Sequence, residues 1–183
     1  MDTLLQVLLN GILNGMLYAL VALGLCLIWG VMDVINFAHG EYVMVAMYVS
    51  YWLGFLANVD PLISTLAGGA LIFILGALTY KLIIHYTVGK PPLSALLATF
   101  GLAMLLKNLC LNRFTPNFRI LSDTWLGDRT FQLGDLIVPL PQLVTAVLAL
   151  LVIGLVFYMI RSTRFGWAVQ ATAMDREAAE LMG

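Results

Sequence analysis

Residues 4–29 read LLQVLLNGILNGMLYALVALGLCLIW, a predominantly apolar run without a charged side chain. A helix needs about 20 mostly apolar residues to cross the hydrocarbon core of a bilayer, so this run is long enough to span it. The residues before it, Met1-Asp2-Thr3, lack the positive charge of a cleavable signal peptide, and the run is too long for one. We therefore predict a membrane-spanning helix that stays in the protein.

Four more apolar runs predict four more spans, over about residues 40–56, 62–82, 93–111 and 143–160. Pro61 suits the first turn of the third span, and Lys90-Pro91-Pro92 separates the third from the fourth. The runs are continuous rather than alternating, which argues against a β-barrel. The expected fold is an all-α, polytopic transmembrane bundle of about five spans, with residues 1–183 forming a single transmembrane domain.

The composition supports a bilayer as the solvent. Hydrophobic residues make up 62% of the 183 residues and charged residues 10%, whereas soluble domains average about 45–50% and about 25%. This composition excludes a soluble globular protein, a disordered chain and a coiled coil. The net charge of −1 excludes nucleic acid as a partner, because phosphate binding needs a basic face. Cys26 and Cys110 lie inside apolar runs and are interpreted as small buried hydrophobes.

The distribution of basic residues predicts the orientation. Lys81 and Lys90 lie between the third and fourth spans, and Arg161, Arg164 and Arg176 follow the fifth. With five spans these regions share one side, which the positive-inside rule assigns to the cytoplasm. The N-terminus is then outside and the C-terminus cytoplasmic. The bias is weak, because the long polar connection over residues 112–142 also carries three Arg residues, offset by three acids.

Polar residues recur within the first span. Gln6, Asn10, Asn14 and Tyr18 are four residues apart and share one helical face. Such a face either packs against another helix, with amides as interhelical hydrogen-bonding groups, or lines a permeation path. Thr99 in the fourth span is a further polar group with the same two interpretations.

The segment between the first two spans, residues 32–42, reads MDVINFAHGEY. It is too apolar for a solvated loop and contains no Lys or Arg, so we expect an unwound or re-entrant element near residues 32–41, before a helix that starts near Gly40. Ionisable groups at membrane depth often mark a pathway, and the candidates here are Asn36, His39, Gly40 and Glu41. The free N–H groups of the helix start would favour a carboxylate or be capped by Asn36.

Enzymatic motifs are missing. His39 and Glu41 are two residues apart, so they diverge on a helix, and neither HExxH nor GxSxG occurs. We expect no catalytic residue, metal or cofactor. The sequence also lacks GxxxxGK[ST], so any ATP hydrolysis belongs to a separate chain.

After the fifth span the chain becomes polar. Residues 161–167, RSTRFGW, are interpreted as a basic and aromatic membrane exit. Asp175 then suits the N-cap of a short cytoplasmic helix that carries a small-residue patch at Ala178 and Ala179.

Glu177-Ala178-Ala179, followed by Gly183, resembles the EAA…G loop of bacterial ABC importer permeases. Together with Asn36-Phe37-Ala38-His39-Gly40-Glu41, it makes residues 4–183 similar to the branched-chain amino acid permease family of these importers. One departure is that residues 86–92 lack the Arg-Pro segment frequent in that family.

The resemblance implies a subunit of an ATP-driven importer in the bacterial inner membrane, which carries branched-chain amino acids or, in some members, urea or short amides. It implies a periplasmic binding protein, a second permease subunit and cytoplasmic ATPases as partners. The ATPase-coupling residues carried over lie in the cytoplasmic segment over residues 161–183 and are Arg176, Glu177, Ala178, Ala179 and Gly183. The element over residues 36–41 would lie near the pathway. Family permeases continue with more helices, so we expect an N-terminal fragment that does not transport by itself.

Two other classes remain open. An ion-coupled secondary transporter or channel would use Asp33, His39 or Glu41 and would not need the helix over residues 177–183. An assembly protein would need no pathway, which the polar faces argue against.

Overall fold

The computed structural model describes residues 2–57, 59–114, 117, 127, 129–133, 136–175 and 178–179. These residues are mostly helical, which confirms the all-α class. The elements are α1 (Asp2–Met32), α2 (His39–Ala57), α3 (Pro61–Leu82), a 3₁₀ turn (Ile84–Tyr86), α4 (Pro92–Phe114), β1 (Thr130–Leu133), β2 (Leu136–Pro139), α5 (Leu140–Ser162) and α6 (Arg164–Met174).

Each of the five predicted spans corresponds to one long helix. Among the described residues, four helical segments are long and apolar enough to cross a membrane: Thr3–Met32, Ile63–Tyr86, Pro92–Phe114 and Leu140–Ser162. The second predicted span is the 19-residue helix α2, which is outside this set and has Glu41 in its first turn. The fifth helix begins at Leu140 rather than 143, because Pro141 is tolerated in a first turn, where its missing N–H has no helical partner to lose.

The chain divides into two compact units, residues 1–33 with 125–183 and residues 34–124. In the first unit, α1 packs along α5 and also contacts α6 and β2. Helix α5 buries Ala146 and Ala149, which are 3% and 1% exposed. Small side chains at such positions permit close helix packing in membranes.

The first unit also contains a hairpin that the sequence did not predict. β1 and β2 are antiparallel, with Phe131 opposite Val138 and Gln132 opposite Ile137. Each strand has only four residues and lies in the polar connection over residues 112–142. An apolar alternation this short is too weak to identify a strand from sequence.

Residues 161–167, interpreted as a membrane exit, include the start of a helix that the sequence did not predict. The chain turns at Thr163 and forms helix α6 from Arg164. Thr163 initiates this helix, since its side chain accepts a hydrogen bond from Gly166 N at 3.0 Å.

In the second unit, α2 packs against both α3 and α4. It runs antiparallel to α3, because Tyr42 Oη donates to Thr79 Oγ1 (2.7 Å) near one end and Ser50 Oγ donates to Ser64 O (3.1 Å) nearer the other. A Cβ on Gly68 would lie 2.8 Å from Ser50 Oγ, so α2 and α3 approach closely there.

Helix α2 runs parallel to α4. Tyr48 of α2 stacks on Phe114 at the end of α4, with 4.6 Å between ring centroids. The core of this unit contains Ala38, Tyr42 and Leu106. Helix α2 therefore lies beside two helices that are long and apolar enough to span.

Candidate functional site

The segment between α1 and α2 is unwound over residues 33–38, which agrees with the element predicted near 32–41. Helix α1 ends where Asp33 N donates to Trp29 O at 2.9 Å. Asp33 is exposed and has φ +52°, the left-handed conformation that often follows a helix and that Asp adopts more readily than most residues. The ionisable group that precedes α2 is therefore on the surface of its unit.

Side chains along the unwound element alternate between buried and exposed. Val34, Asn36 and Ala38 are 3%, 5% and 0% exposed, whereas Ile35 and Phe37 are 47% and 50% exposed. The three buried side chains hold one edge of the unwound element against the rest of the second unit. Asn36 is thus a buried polar residue.

Asn36 organises the start of α2. Its Oδ1 accepts from Ala38 N (3.0 Å), and its main-chain oxygen accepts from His39 N (3.2 Å). The sequence left open whether the free N–H groups at this helix start bind a carboxylate or are capped by Asn36. In the structure the Asn36 side chain bonds to the main chain just before the helix, an arrangement typical of Asx turns.

Thr99 connects the unwound element to α4. Thr99 is 1% exposed, and its Oγ1 accepts from Phe37 N at 3.2 Å. The same hydroxyl lies 3.3 Å from Ile35 O and 3.2 Å from Leu96 O, to either of which it can donate. One buried hydroxyl therefore lies within hydrogen-bonding distance of main-chain groups on both sides of Asn36.

His39, Gly40 and Glu41 form the first turn of α2. His39 and Glu41 are half-buried, and Gly40 is exposed, with no atom within 4 Å of a Cβ built on it. The structure thus brings five of the predicted pathway residues to one junction: Asn36, His39, Gly40, Glu41 and Thr99.

Asn10 and Asn14 lie in the first unit, on α1. Asn10 is half-buried, and its Oδ1 accepts from Gln6 Nε2 at 3.3 Å. Asn14 is exposed. Gln6 makes two further hydrogen bonds to the main chain of Ile137, so its end of the polar row contacts protein.

The second unit contains two consecutive hydrogen bonds, made by the buried residues Tyr42 and Thr79, that the sequence did not predict. Tyr42 Oη donates to Thr79 Oγ1 (2.7 Å), which donates to Leu75 O (2.8 Å). Tyr42 and Thr79 are 37 positions apart, so no local pattern could pair them. The available signal was that both are polar groups within apolar spans.

The predicted coupling segment is described only in part. Asp175 Oδ1 accepts from Ala178 N (3.0 Å) and Asp175 O accepts from Ala179 N (3.0 Å), which confirms Asp175 as an N-cap. Ala178 is exposed and Ala179 half-buried. Arg176, Glu177 and Gly183 lie outside the described residues.

Within the described part of the chain, no group of three or more His, Cys, Asp or Glu side chains could hold a metal ion. The junction around α2 instead offers an imidazole and a carboxylate, from the half-buried His39 and Glu41, while Asn36 and Thr99 are buried and bonded to the main chain. The imidazole and the carboxylate suit hydrogen bonding to a small polar solute.

Comparison with known proteins identifies the family. Residues 7–183 match the family described as "Branched-chain amino acid transport system / permease component". The high-affinity branched-chain amino acid transport system permease proteins LivH of Salmonella typhimurium and Escherichia coli K12 are 28% identical over 193 residues. BraD of Pseudomonas aeruginosa, described in the same words, is 28% identical over 191 residues.

These alignments cover 98% of this chain and 62% of each relative, so the chain spans less than two thirds of their length. No solved structure matches the chain. The match and the long apolar helices describe a multi-pass membrane protein, in agreement with the predicted transport subunit rather than an enzyme. The chain belongs to the family of permease components of branched-chain amino acid transport systems.

Proposed function

We propose that this chain forms part of the translocation pathway of an ATP-driven importer of branched-chain amino acids, or of a related small polar solute such as urea or an amide. The observation that carries the proposal is the family match over residues 7–183. The relatives named as high-affinity branched-chain amino acid permeases align with 98% of the chain and support the substrate class.

The junction at the start of α2 is the part of the pathway that the second unit contributes. An unwound element in a membrane is tolerated where it is buried in protein or lines a polar cavity. The buried edge with Asn36 and the hydroxyl of Thr99 satisfy the first condition. His39, Gly40 and Glu41 on the first turn of α2 supply the second. Asn10 and Asn14 are separate pathway candidates that belong to the first unit.

The coupling segment docks the ATPase. Its proposed contacts are Arg176, Glu177, Ala178, Ala179 and Gly183. The capped turn at Asp175 and the small side chains of Ala178 and Ala179 support this role, because small residues permit close approach of another surface. The further partners are a second permease subunit and a periplasmic binding protein. The chain resides in the bacterial inner membrane with its N-terminus outside and its C-terminus cytoplasmic.

Transport is tested in proteoliposomes that contain the permease with this sequence, its ATPase, its partner permease and its binding protein. We expect uptake of labelled leucine that requires ATP on the cytoplasmic side and persists when a proton ionophore is added. Labelled urea in a parallel assay distinguishes the two substrate classes. Uptake driven by a proton gradient without ATP would contradict the proposal and favour an ion-coupled transporter.

The pathway is tested by Gly40→Leu. Because Gly40 is exposed and a Cβ there meets no atom within 4 Å, we expect the fold to accept the larger side chain and the passage of substrate to be obstructed. Uptake should fall about tenfold, which corresponds to about 1.4 kcal/mol in the barrier. Gly154→Leu is the matched control, since Gly154 lies in α5 with equally open surroundings.

ATPase docking is tested by Ala179→Glu in a co-purification assay. We expect retention of the ATPase to fall about tenfold, since a bulky charge would separate the two surfaces at a cost of about 1.4 kcal/mol. Ala168→Glu makes the same change at an exposed position of α6. Equal retention by both variants would argue against docking at Ala179.

A further inference from the structure

Several hydrogen bonds hold the corner between α5 and α6. Helix α5 ends at Ser162 and α6 begins at Arg164, with Thr163 in an extended conformation between them (φ −112°, ψ 156°). An extended residue between two helices could act as a hinge. We define the α5–α6 corner as Met159–Gln170.

Thr163 is both the C-cap of α5 and the N-cap of α6. Its N–H and hydroxyl both donate to Met159 O, at 3.2 Å and 2.6 Å, and its hydroxyl oxygen accepts from Gly166 N at 3.0 Å. The same side chain therefore ends one helix and starts the next.

Side chains of α6 reach back to the next two carbonyls of α5. Gln170 Nε2 donates to Ile160 O (2.7 Å), and Trp167 Nε1 donates to Arg161 O (3.2 Å). The last four carbonyls of a helix have no partner within the helix. The carbonyl oxygens of residues 159, 160 and 161 thus accept hydrogen bonds from Thr163, Gln170 and Trp167, respectively.

Gly166 brings the two helices into main-chain contact. It is buried, and a Cβ at this position would overlap the carbonyl oxygens of Met159 and Ile160. No residue with a side chain fits there without displacing one helix. The close approach of the two helices, which permits the hydrogen bonds of Trp167 and Gln170 to α5, therefore depends on this glycine.

We infer that the corner makes α5 and α6 one rigid body and that Trp167 and Gln170 are positioning residues for energy coupling. The role in coupling rests on the proposed function. Only Asp175 separates α6 from the proposed ATPase contacts, which begin at Arg176. A displacement imposed there by the ATPase passes through α6 into α5 without being absorbed at Thr163.

Rigidity is measured first, with spin labels on the complete chain in nanodiscs. Cysteines at Val152 of α5 and Met174 of α6, both exposed, carry the labels in a Cys26→Ser, Cys110→Ala background. We expect one narrow distance distribution. It should broaden at least twofold in the double variant Trp167→Phe, Gln170→Leu, which keeps the bulk of both side chains and removes both donors. A wild-type distribution as broad as that of the double variant would overturn the inference.

Two further variants serve as controls. When Gln170→Lys takes the place of Gln170→Leu in the double variant, a donor to the end of α5 is restored. The narrow distance distribution should then be recovered. Thr172→Val removes a hydroxyl that donates to Ala168 O within α6 itself, and it should leave the distribution unchanged. Broadening by Thr172→Val to the same extent would overturn the assignment to the corner.

Coupling is then measured in the reconstituted transporter. The double variant should retain the ATPase and hydrolyse ATP, while substrate uptake per ATP falls about tenfold. Unchanged uptake per ATP would overturn the coupling role. A wild-type complex without ATP-driven uptake would overturn the proposed function and the coupling role with it, and the spin-label distances would still decide whether the corner is rigid.

Discussion

Gln6, near the start of α1, pairs with the main chain of Ile137 in β2 through two hydrogen bonds. Its Nε2 donates to Ile137 O at 2.7 Å, and Ile137 N donates to its Oε1 at 2.9 Å. The amide thus satisfies the outer edge of a two-stranded hairpin, as a third strand would. Because α5 begins three residues after Ile137, the starts of α1 and α5 lie at the same end of their unit.

This relationship bears on the number of membrane crossings. If α1 and α5 both span and start on one side, the chain between them must cross an odd number of times. If α3 and α4, which are long and apolar enough to span, are two of these crossings, we expect α2 to be the third. Its position parallel to α4 and antiparallel to α3 agrees with this count.

Substituted cysteines test the crossing by α2. Ile35→Cys precedes α2 and Leu56→Cys lies in its last turn, and both positions are exposed. We expect a membrane-impermeant thiol reagent to label Leu56→Cys from outside and Ile35→Cys only from the cytoplasmic side. Labelling of both from one side would mean that α2 does not cross. The parent for both variants is the chain with Cys26 and Cys110 replaced.

Gln6→Leu should destabilise the protein by about 0.5–1.5 kcal/mol, because it removes two hydrogen bonds to the half-exposed Ile137. Thermal unfolding in detergent measures the loss. Asn14→Leu changes an exposed amide on the same helix, and we expect its effect to stay within about 0.5 kcal/mol. Equal effects of the two variants would show that the pairing at Ile137 contributes nothing.

Thr99→Val should destabilise the protein by about 1–3 kcal/mol, since it removes the acceptor of Phe37 N and leaves a buried methyl beside Ile35 O. Thr99→Ser keeps the hydroxyl and should lie much closer to wild type in thermal unfolding. Thr145→Val is the control, because the exposed Thr145 hydroxyl donates only to Pro141 O in its own helix. A loss as large in Thr145→Val would refute the specific role of Thr99.

Gly166→Ala should cost about 1–3 kcal/mol, as overpacking in a tight contact does, because the new methyl overlaps the carbonyl oxygens of Met159 and Ile160. The melting temperature and the yield of monodisperse protein measure this cost. Gly154→Ala meets open space in the middle of α5, so it should be neutral or slightly stabilising, as Ala has the higher helix propensity. A neutral Gly166→Ala would show that the corner is looser than described.

Local patterns predicted some features well. Asp175 is an N-cap, and residues 33–38 are unwound, because capping and helix interruption depend on neighbours within a few positions. The arginines and aromatic residues of residues 161–167 are typical of an interface and indicate a membrane exit, but they do not predict helix α6. Its identity as a helix depends on contacts with the end of α5.

The sequence by itself determined the solvent, the helical class and the family. Apolar runs must become helices in a bilayer, since every main-chain polar group there needs a partner within the segment. Only the tertiary structure decided which polar side chains act and on what. Gln6 completes a hairpin 131 positions away, and Thr99 holds a loop more than 60 positions away. Such partners are chosen by distance in space, because a hydrogen bond requires contact within about 3 Å.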